Sequence, residues 1–141
     1  MTNLYIKDFR QMIRSRFAED SDDMSYSEWI EKNTKHKRVP FSFKGYEFQR
    51  RIVDDMHTNM SVIKCSQIGL TEVQMRKFAA FLARNIGVSG IFTLPNDDMY
   101  RRVSTTRFGP FLNTDPVFNL GYDKPIRRMD LYQVNQSFGY F

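Results

Sequence analysis

The chain lacks the features that mark several common classes of protein. Its 141 residues include one cysteine, so an internal disulfide is excluded. No apolar run approaches the roughly 20 residues that a membrane-spanning helix needs, and the N-terminus has no signal-peptide core. The two histidines and the cysteine show no metal-ligand spacing such as C-x-x-C. We therefore expect a protein of a reducing cytoplasm, without a membrane contact or a zinc site.

What the chain contains is typical of a small folded domain with a basic surface. Apolar residues make up 41% and aromatic residues 15%, a composition that supports one modest core. Residues 1–34 carry five basic and seven acidic side chains, whereas residues 35–141 carry 16 basic and nine acidic ones. The basic excess suits a polyanionic partner such as a nucleotide or DNA, although a solvated basic surface explains it equally.

Hydrophobic periodicity predicts an alternation of helices and strands. The predicted helices span residues 3–17, 26–33, 44–58, 71–85 and 97–107. The predicted strands span residues 61–64 and 88–94, and a hairpin follows at 131–134 and 138–141. Strand, loop, helix and strand in this order are typical of a parallel α/β sheet with flanking helices.

Local signals set the expected ends of these elements. Ser25 and Glu28 form a capping box before the second helix, and Asn96 is the expected N-cap of the last one. The pair Gly109-Pro110 is expected to break that last helix. An acidic linker is expected at residues 19–23, and residues 111–125 are expected to form a loop that can include one short helix.

The segment 61–72 has the layout of a phosphate-binding loop. A polar turn, with Lys64 at its start and Gly69-Leu70-Thr71 at its end, lies between a predicted strand and a predicted helix. Backbone N–H groups and the helix dipole favour an anion at such a point. In the general pattern G-x-x-x-x-G-K-[ST] the lysine closes the loop, whereas here it opens it. A buried strand followed by a glycine-containing turn therefore explains the spacing equally well.

Three blocks of sequence resemble the ATPase domain of the large terminase subunit of tailed bacteriophages. They are residues 40–55, 64–72 and 91–107, and the resemblance covers residues 26 to 141. In one branch of that family the loop reads K-S-x-x-x-G-x-[ST], with the lysine in front. Here it reads Lys64-Cys65-Ser66-Gln67-Ile68-Gly69-Leu70-Thr71, with the serine one place late. The resemblance implies an α/β fold, a partial P-loop NTPase in residues 35–141, preceded by N-terminal helices in residues 1–34.

The resemblance also implies ATP and Mg²⁺ as cofactors and assigns roles to individual residues. Lys64 is the implied phosphate cation and catalytic residue, and Thr71 is the implied Mg²⁺ ligand. Tyr46, or Phe48, and Gln49 are implied to contact adenine, because an amide both donates and accepts hydrogen bonds; a plain amphipathic helix accounts for them equally. The implied nucleotide-binding residues are Tyr46, Gln49, Lys64, Ser66, Gln67, Ile68, Gly69, Leu70 and Thr71.

Residues near the loop carry further expectations. Cys65 has no arranged base, so we expect a small buried residue rather than a nucleophile. Glu72 is expected to point away from the phosphates. Arg101, Arg102 and Arg107 could act as an arginine finger, line a DNA channel or be surface charges, and no catalytic role is assigned to them.

The chain departs from the family in lacking a later apolar strand that ends in Asp-Glu, and in lacking a nuclease domain. We therefore expect an N-terminal fragment of the ATPase that does not hydrolyse ATP alone. The implied whole protein is an ATPase and DNA endonuclease of the host cytoplasm that packages viral DNA. Its implied partners are double-stranded DNA, the small terminase subunit, the portal of the procapsid and its own copies in a ring. Two alternatives stay open: a helicase-type DNA translocase fragment, and a non-catalytic DNA-binding or regulatory module with a degenerate ATPase fold.

Overall fold

The computed structural model describes residues 24–141, so the predicted helix at 3–17 and the acidic linker at 19–23 lie outside the described residues. The helices are α1 (Tyr26–Asn33), α2 (Glu47–Asp54), α3 (Leu70–Arg84), α4 (Asp97–Val103) and α5 (Gly109–Thr114). A π-helical turn (Ser104–Phe108) joins α4 to α5, and a 3-10 turn (Pro116–Phe118) follows α5. The strands are β1 (Lys35–His36), β2 (Val39–Pro40), β3 (Ser89–Ile91), β4 (Leu131–Val134) and β5 (Ser137–Tyr140).

Side-chain caps begin two helices where the sequence predicts them. The Ser25 hydroxyl accepts from the Glu28 N–H at 3.2 Å, and the Glu28 carboxylate accepts from the Ser25 N–H at 3.0 Å. The Asn96 side chain accepts from the Met99 N–H at 2.9 Å at the start of α4. The predictions for α1 and α3 are confirmed. Helix α2 is shorter than predicted, because Gly45 has a left-handed backbone (φ 82°) and Asp55 is extended.

The three-stranded sheet has the order β3-β5-β4, with β3 parallel to β5 and β4 antiparallel to β5. The predicted hairpin is confirmed, and the strand predicted at 88–94 forms only over Ser89–Ile91. The chain is therefore a mixed α/β protein. In the part of the chain that the structure describes, a single parallel pair stands where a larger parallel sheet is expected. The residues 35–40 form a separate antiparallel hairpin, β1 with β2.

The strand predicted at residues 61–64 is wrong. These residues form no strand, and the Ile63 side chain is fully exposed. A strand needs a hydrogen-bonding neighbour, and β3 finds its neighbour in β5, through bonds that join Phe92 N–H to Tyr140 O and Phe138 N–H to Val88 O. Two apolar residues before a charged lysine bury too little surface to form a strand without such pairing.

The helix break predicted at Gly109-Pro110 is also wrong. The backbone stays helical through Gly109, whose N–H donates to the carbonyl of Ser104, five residues back. This wider turn leads directly into α5, and Pro110 lies in the first turn of that helix, a position at which proline is tolerated. Part of the predicted loop at 111–125 therefore belongs to α5.

Helix α3 packs on one face of the sheet at unusually short range. Gly90 in β3 and Gly139 in β5 stand opposite each other and face Phe78 and Leu82 of α3. A Cβ at Gly90 would lie 2.6 Å from the Phe78 ring, and one at Gly139 would lie 2.9 Å from Leu82 Cδ1. Helix α3 is thus fixed against the sheet, and the loop before α3 is carried on a rigid element. Within residues 24–141, no helix is long and apolar enough to cross a membrane.

Candidate nucleotide-binding site

The loop before α3 separates two adjoining clefts. The first, which we call the hairpin cleft, has a volume of about 480 Å³ and lies against the β1–β2 hairpin and the start of α2. The second, which we call the loop cleft, has a volume of about 460 Å³ and lies at the start of α3. Both clefts are lined by His36, Gln67, Ile68, Gly69 and Glu72.

The two clefts bring together almost every residue that the sequence assigns to a nucleotide. Lys64, Leu70 and Thr71 line only the loop cleft, whereas Tyr46 and Gln49 line only the hairpin cleft. Gln67, Ile68 and Gly69 lie between the clefts and line both. Ser66 is not among the residues that line either cleft. The predicted phosphate residues and the predicted adenine residues thus lie on opposite sides of one short loop.

Gly69 gives the loop its turn into α3. It precedes the helix with φ 73°, a left-handed conformation that side chains with a Cβ rarely adopt. A Cβ there would also lie 3.1 Å from the Gln49 side-chain nitrogen. No side chain caps the start of α3, and the helix has 15 residues. Its first backbone N–H groups therefore have no intrahelical acceptor and lie at the edge of the loop cleft.

Gln49 joins α2 to the loop. Its side chain is 6% exposed, and its Nε2 donates to the carbonyl of Ile68 at 2.6 Å. Tyr46, at the start of the same helix, is 53% exposed and has Phe48 as a ring neighbour at 6.3 Å. Gln49 is therefore already bound to the loop through one of its amide protons, a contact that the sequence does not reveal.

The loop cleft contains two cations that have no carboxylate partner among the described residues. Lys64 donates through its Nζ to the carbonyl of Cys65 at 3.2 Å. Arg107, from the π-helical turn, lines the same cleft and is exposed, and no hydrogen bond or ion pair links its guanidinium to a described residue. With the first N–H groups of α3, these side chains give the cleft a positive potential.

Glu72 does not point away from the site, contrary to the prediction. It lines both clefts, and its Oε1 lies 2.8 Å from the Arg76 guanidinium and 3.6 Å from the His36 ring. The carboxylate is one helical turn before Arg76, the spacing at which helix side chains meet. Because Arg76 balances its charge, Glu72 repels an anion in the loop cleft less than a free carboxylate would.

Arg76 is a buried residue of the site that sequence reasoning missed. It is 1% exposed, donates to Thr34 Oγ1 at 2.8 Å, and lies over the rings of Phe41 and Phe111 at 4.1 and 4.7 Å. Burial lowers the pKa of Arg76, and the Glu72 charge opposes that shift. The only sequence signal that could have indicated this role is the place of Arg76 between the apolar residues Val73, Met75 and Ala79 of α3, four residues after Glu72.

The prediction that Cys65 is buried is wrong. The thiol belongs to an exposed residue, because the preceding segment runs over the surface instead of forming a strand in the sheet. No cluster of three or more His, Cys, Asp or Glu residues among the described ones could hold a metal ion. Mg²⁺ often keeps several waters and binds through substrate phosphates, so a Thr71 hydroxyl in the loop cleft fits a magnesium ion that arrives with a nucleotide.

The arrangement can hold an extended anion with a planar group at one end. The loop cleft supplies cations and backbone N–H groups, and the adjoining hairpin cleft supplies an aromatic ring and apolar walls. A comparison with protein-family models, with curated proteins and with solved structures found no match to this chain. The candidate site therefore rests on the residues and geometry described above.

Proposed function

We propose that this chain binds ATP with Mg²⁺, the triphosphate in the loop cleft and the adenine in the hairpin cleft. The observation that carries the proposal is the pair Lys64 and Arg107, two cations without carboxylate partners among the described residues, beside the start of α3. Phosphates gain charge-assisted hydrogen bonds from such groups. The mixed α/β fold accommodates the proposal without requiring it.

Each residue of the site has a role in this proposal. Lys64 neutralises phosphate charge, and the backbone from Gln67 to Leu70 donates hydrogen bonds to phosphate oxygens. The Thr71 hydroxyl is a ligand of the Mg²⁺ that accompanies the nucleotide, and this ion neutralises phosphate charge when bound. Tyr46 provides a ring face for the base.

The proposal is tested by calorimetric titration of the purified chain with ATP and Mg²⁺. We expect Lys64→Ala to lower ATP affinity by roughly tenfold or more, since hydrogen bonds to charged groups contribute about 1.5–3 kcal/mol. Lys124→Ala is the matched control, because Lys124 is exposed and lines neither cleft. Equal ATP affinity for the wild type and Lys64→Ala, or no binding by the wild type, would contradict the proposal.

We further propose that this nucleotide site serves viral DNA packaging, as part of a terminase large subunit. The support is the order of the three sequence blocks and the front position of Lys64. In this role the chain acts with double-stranded DNA, the small terminase subunit and the portal of a procapsid, as one copy of a ring in the host cytoplasm. A packaging reaction that contains these components and a full-length subunit should lose DNA uptake when Lys64 of that subunit is replaced by alanine.

The helicase-type translocase and the non-catalytic module differ from the packaging subunit in results that can be measured. A helicase-type translocase would couple ATP turnover to strand separation in the absence of procapsids. A non-catalytic module would bind DNA equally with and without ATP, and the substitution Lys64→Ala would leave its DNA affinity unchanged.

A further inference from the structure

The π-helical turn displaces Arg107 from the inner side of its helix. In a regular α-helix, the residue four places after buried Val103 would continue the inner face, and that residue is Arg107. Instead Phe108 does so, five places after Val103, with exposures of 0% and 5%. A spacing of five is the period of a π turn. The wider turn therefore buries Phe108 and leaves Arg107 at the mouth of the loop cleft.

A buried hydroxyl pair holds this turn in place. The Tyr132 hydroxyl, in β4, donates to the carbonyl of Ser104 at 2.8 Å, and this carbonyl also accepts from the Gly109 N–H. The Ser104 hydroxyl lies 2.9 Å from the Tyr132 hydroxyl and donates to the carbonyl of Met129. Gly109 leaves room for this contact, since a Cβ there would lie 3.3 Å from the Tyr132 oxygen. Strand β4 thus contacts the π turn that carries Arg107, although no residue of the hairpin β4–β5 lines the loop cleft.

We propose that Arg107 contacts the phosphate of ATP that is farthest from the base, and that Tyr132 positions it by stabilising the π turn. This inference rests on the nucleotide binding proposed above. Arg107 lines the loop cleft but not the hairpin cleft, so a nucleotide whose base lies in the hairpin cleft presents its terminal phosphate to Arg107. A planar guanidinium with several donors suits the oxygens of a terminal phosphate.

A contact between Arg107 and the terminal phosphate would give the chain a preference for ATP over ADP, because ADP lacks that phosphate. We expect Arg107→Gln to lower ATP affinity by roughly tenfold and ADP affinity by less than about threefold, because one charge-assisted contact is lost with the terminal phosphate only. Arg107→Lys should give an intermediate value, because a lysine keeps the charge but not the planar donors. Arg102→Gln is the matched control, an exposed arginine on α4 outside both clefts.

Tyr132→Phe tests the positioning role. It removes the hydroxyl and keeps a ring for the contacts with Phe108 and Phe141. We expect the ratio of ATP to ADP affinity to fall toward the Arg107→Gln value. In the double variant Tyr132→Phe/Arg107→Gln the ratio should equal that of Arg107→Gln alone, since the hydroxyl acts through the arginine. If Tyr132 had only a structural role, Tyr132→Phe would lower the melting temperature and leave the ratio of ATP to ADP affinity unchanged.

The outcomes separate this inference from the proposed function. If Lys64→Ala reduces ATP binding but Arg107→Gln keeps the wild-type ratio of ATP to ADP affinity, the role of Arg107 is overturned and nucleotide binding stands. If Arg107→Gln lowers the ratio but Tyr132→Phe does not, Tyr132 has no positioning role. If the wild type binds neither nucleotide, both proposals fail.

Discussion

At the scale of single residues, Gln49 makes a contact with the loop that the sequence does not reveal. Its Nε2 donates to the Ile68 carbonyl, so the side chain holds the loop before α3 as well as lining the hairpin cleft. A contact with adenine would have to use the remaining oxygen and proton of the amide. The adenine role of Gln49 and Tyr46 stays a prediction, and the bond to the loop adds a second effect to any substitution of Gln49.

We expect Gln49→Ala to reduce ATP affinity by roughly fivefold or more, because a hydrogen bond to the loop contributes about 1 kcal/mol and an adenine contact adds to it. The preference for ATP over GTP should fall as well. Competition titrations of ATP against GTP measure both effects, and Gln74→Ala on the exposed side of α3 is the control. An unchanged ratio of ATP to GTP affinity would contradict the adenine role while leaving the loop contact intact.

At the scale of elements, Arg76 joins the hairpin β1–β2 to α3. Its guanidinium donates to Thr34, to the Lys35 carbonyl and to Glu72, so it fixes both the hairpin and the carboxylate beside the loop cleft. Removal of one partner from a buried ion pair leaves an uncompensated charge, which is more costly than the loss of a surface pair. Arg76 therefore contributes to stability and to the charge balance of the site.

We expect Arg76→Met to lower the free energy of unfolding by about 3 kcal/mol, and to weaken ATP binding because Glu72 becomes an unpaired anion beside the phosphates. Adding Glu72→Gln should restore most of the ATP affinity. Urea unfolding and ATP titration of the single and double variants measure the two effects. Failure of the double variant to recover ATP affinity would contradict the proposed charge balance.

The C-terminal end of α2 is held by a lysine from α3. Lys77 donates to the carbonyls of Ile52 and Asp55 at 3.1 and 2.6 Å, and partial burial lowers its pKa from the ordinary value of 10.5, against the charges of Asp55 and Asp54. Between the lowered pKa and 10.5 the unfolded chain binds more protons than the folded one. In that window stability rises with pH.

We therefore expect the stability of the wild type, relative to Lys77→Met, to increase as the pH is raised toward 10.5. The difference between the two proteins isolates this group from the other lysines and tyrosines that titrate in the same range. Urea unfolding at a series of alkaline pH values measures it. A difference that falls with rising pH would show that the lysine pKa is raised in the folded state.

At the scale of the whole molecule, three distant parts of the chain converge on one loop. The hairpin β1–β2 brings His36, α2 brings Tyr46 and Gln49, and the π turn brings Arg107, around residues 64–72. Among the described residues that line the loop cleft, Glu72 carries the only carboxylate, and Arg76 holds it. One oxygen of this carboxylate therefore already accepts a hydrogen bond from the Arg76 guanidinium.

We expect the 141-residue chain to bind ATP without hydrolysing it. No described carboxylate in the loop cleft is free to activate water, and the loss of such a group removes several kcal/mol of transition-state stabilisation, roughly a factor of 100 or more in rate. A steady-state assay with Lys64→Ala as the blank measures this. Turnover well above the blank would require another base, and Asp97, Asp98 and Asp130 would be the first residues to mutate in a search for it.

Local chemistry allowed the sequence to predict α1, α3, the start of α4 and the hairpin β4–β5. Caps, hydrophobic spacing and turn residues act over a few neighbours, so they can be read along the chain. The proximity of Lys64, Gly69 and Thr71 could be predicted in the same way, because they lie within one turn and the start of one helix, and their roles stay predictions. The exposed segment 61–64 could not be predicted, since a strand exists only where a distant segment pairs with it.

Only the tertiary structure decided where the Arg76 and Arg107 side chains lie. Arg76 meets Thr34, 42 residues earlier, and the turn that presents Arg107 is held by Tyr132, 28 residues after Ser104. The spacing of neighbouring residues predicts neither contact. The pair Gly109-Pro110 predicts a helix break, whereas the structure has a π-helical turn there. The sequence by itself determined the loop and its lysine, whereas long-range packing determined the second arginine, the held carboxylate and the cleft that they share.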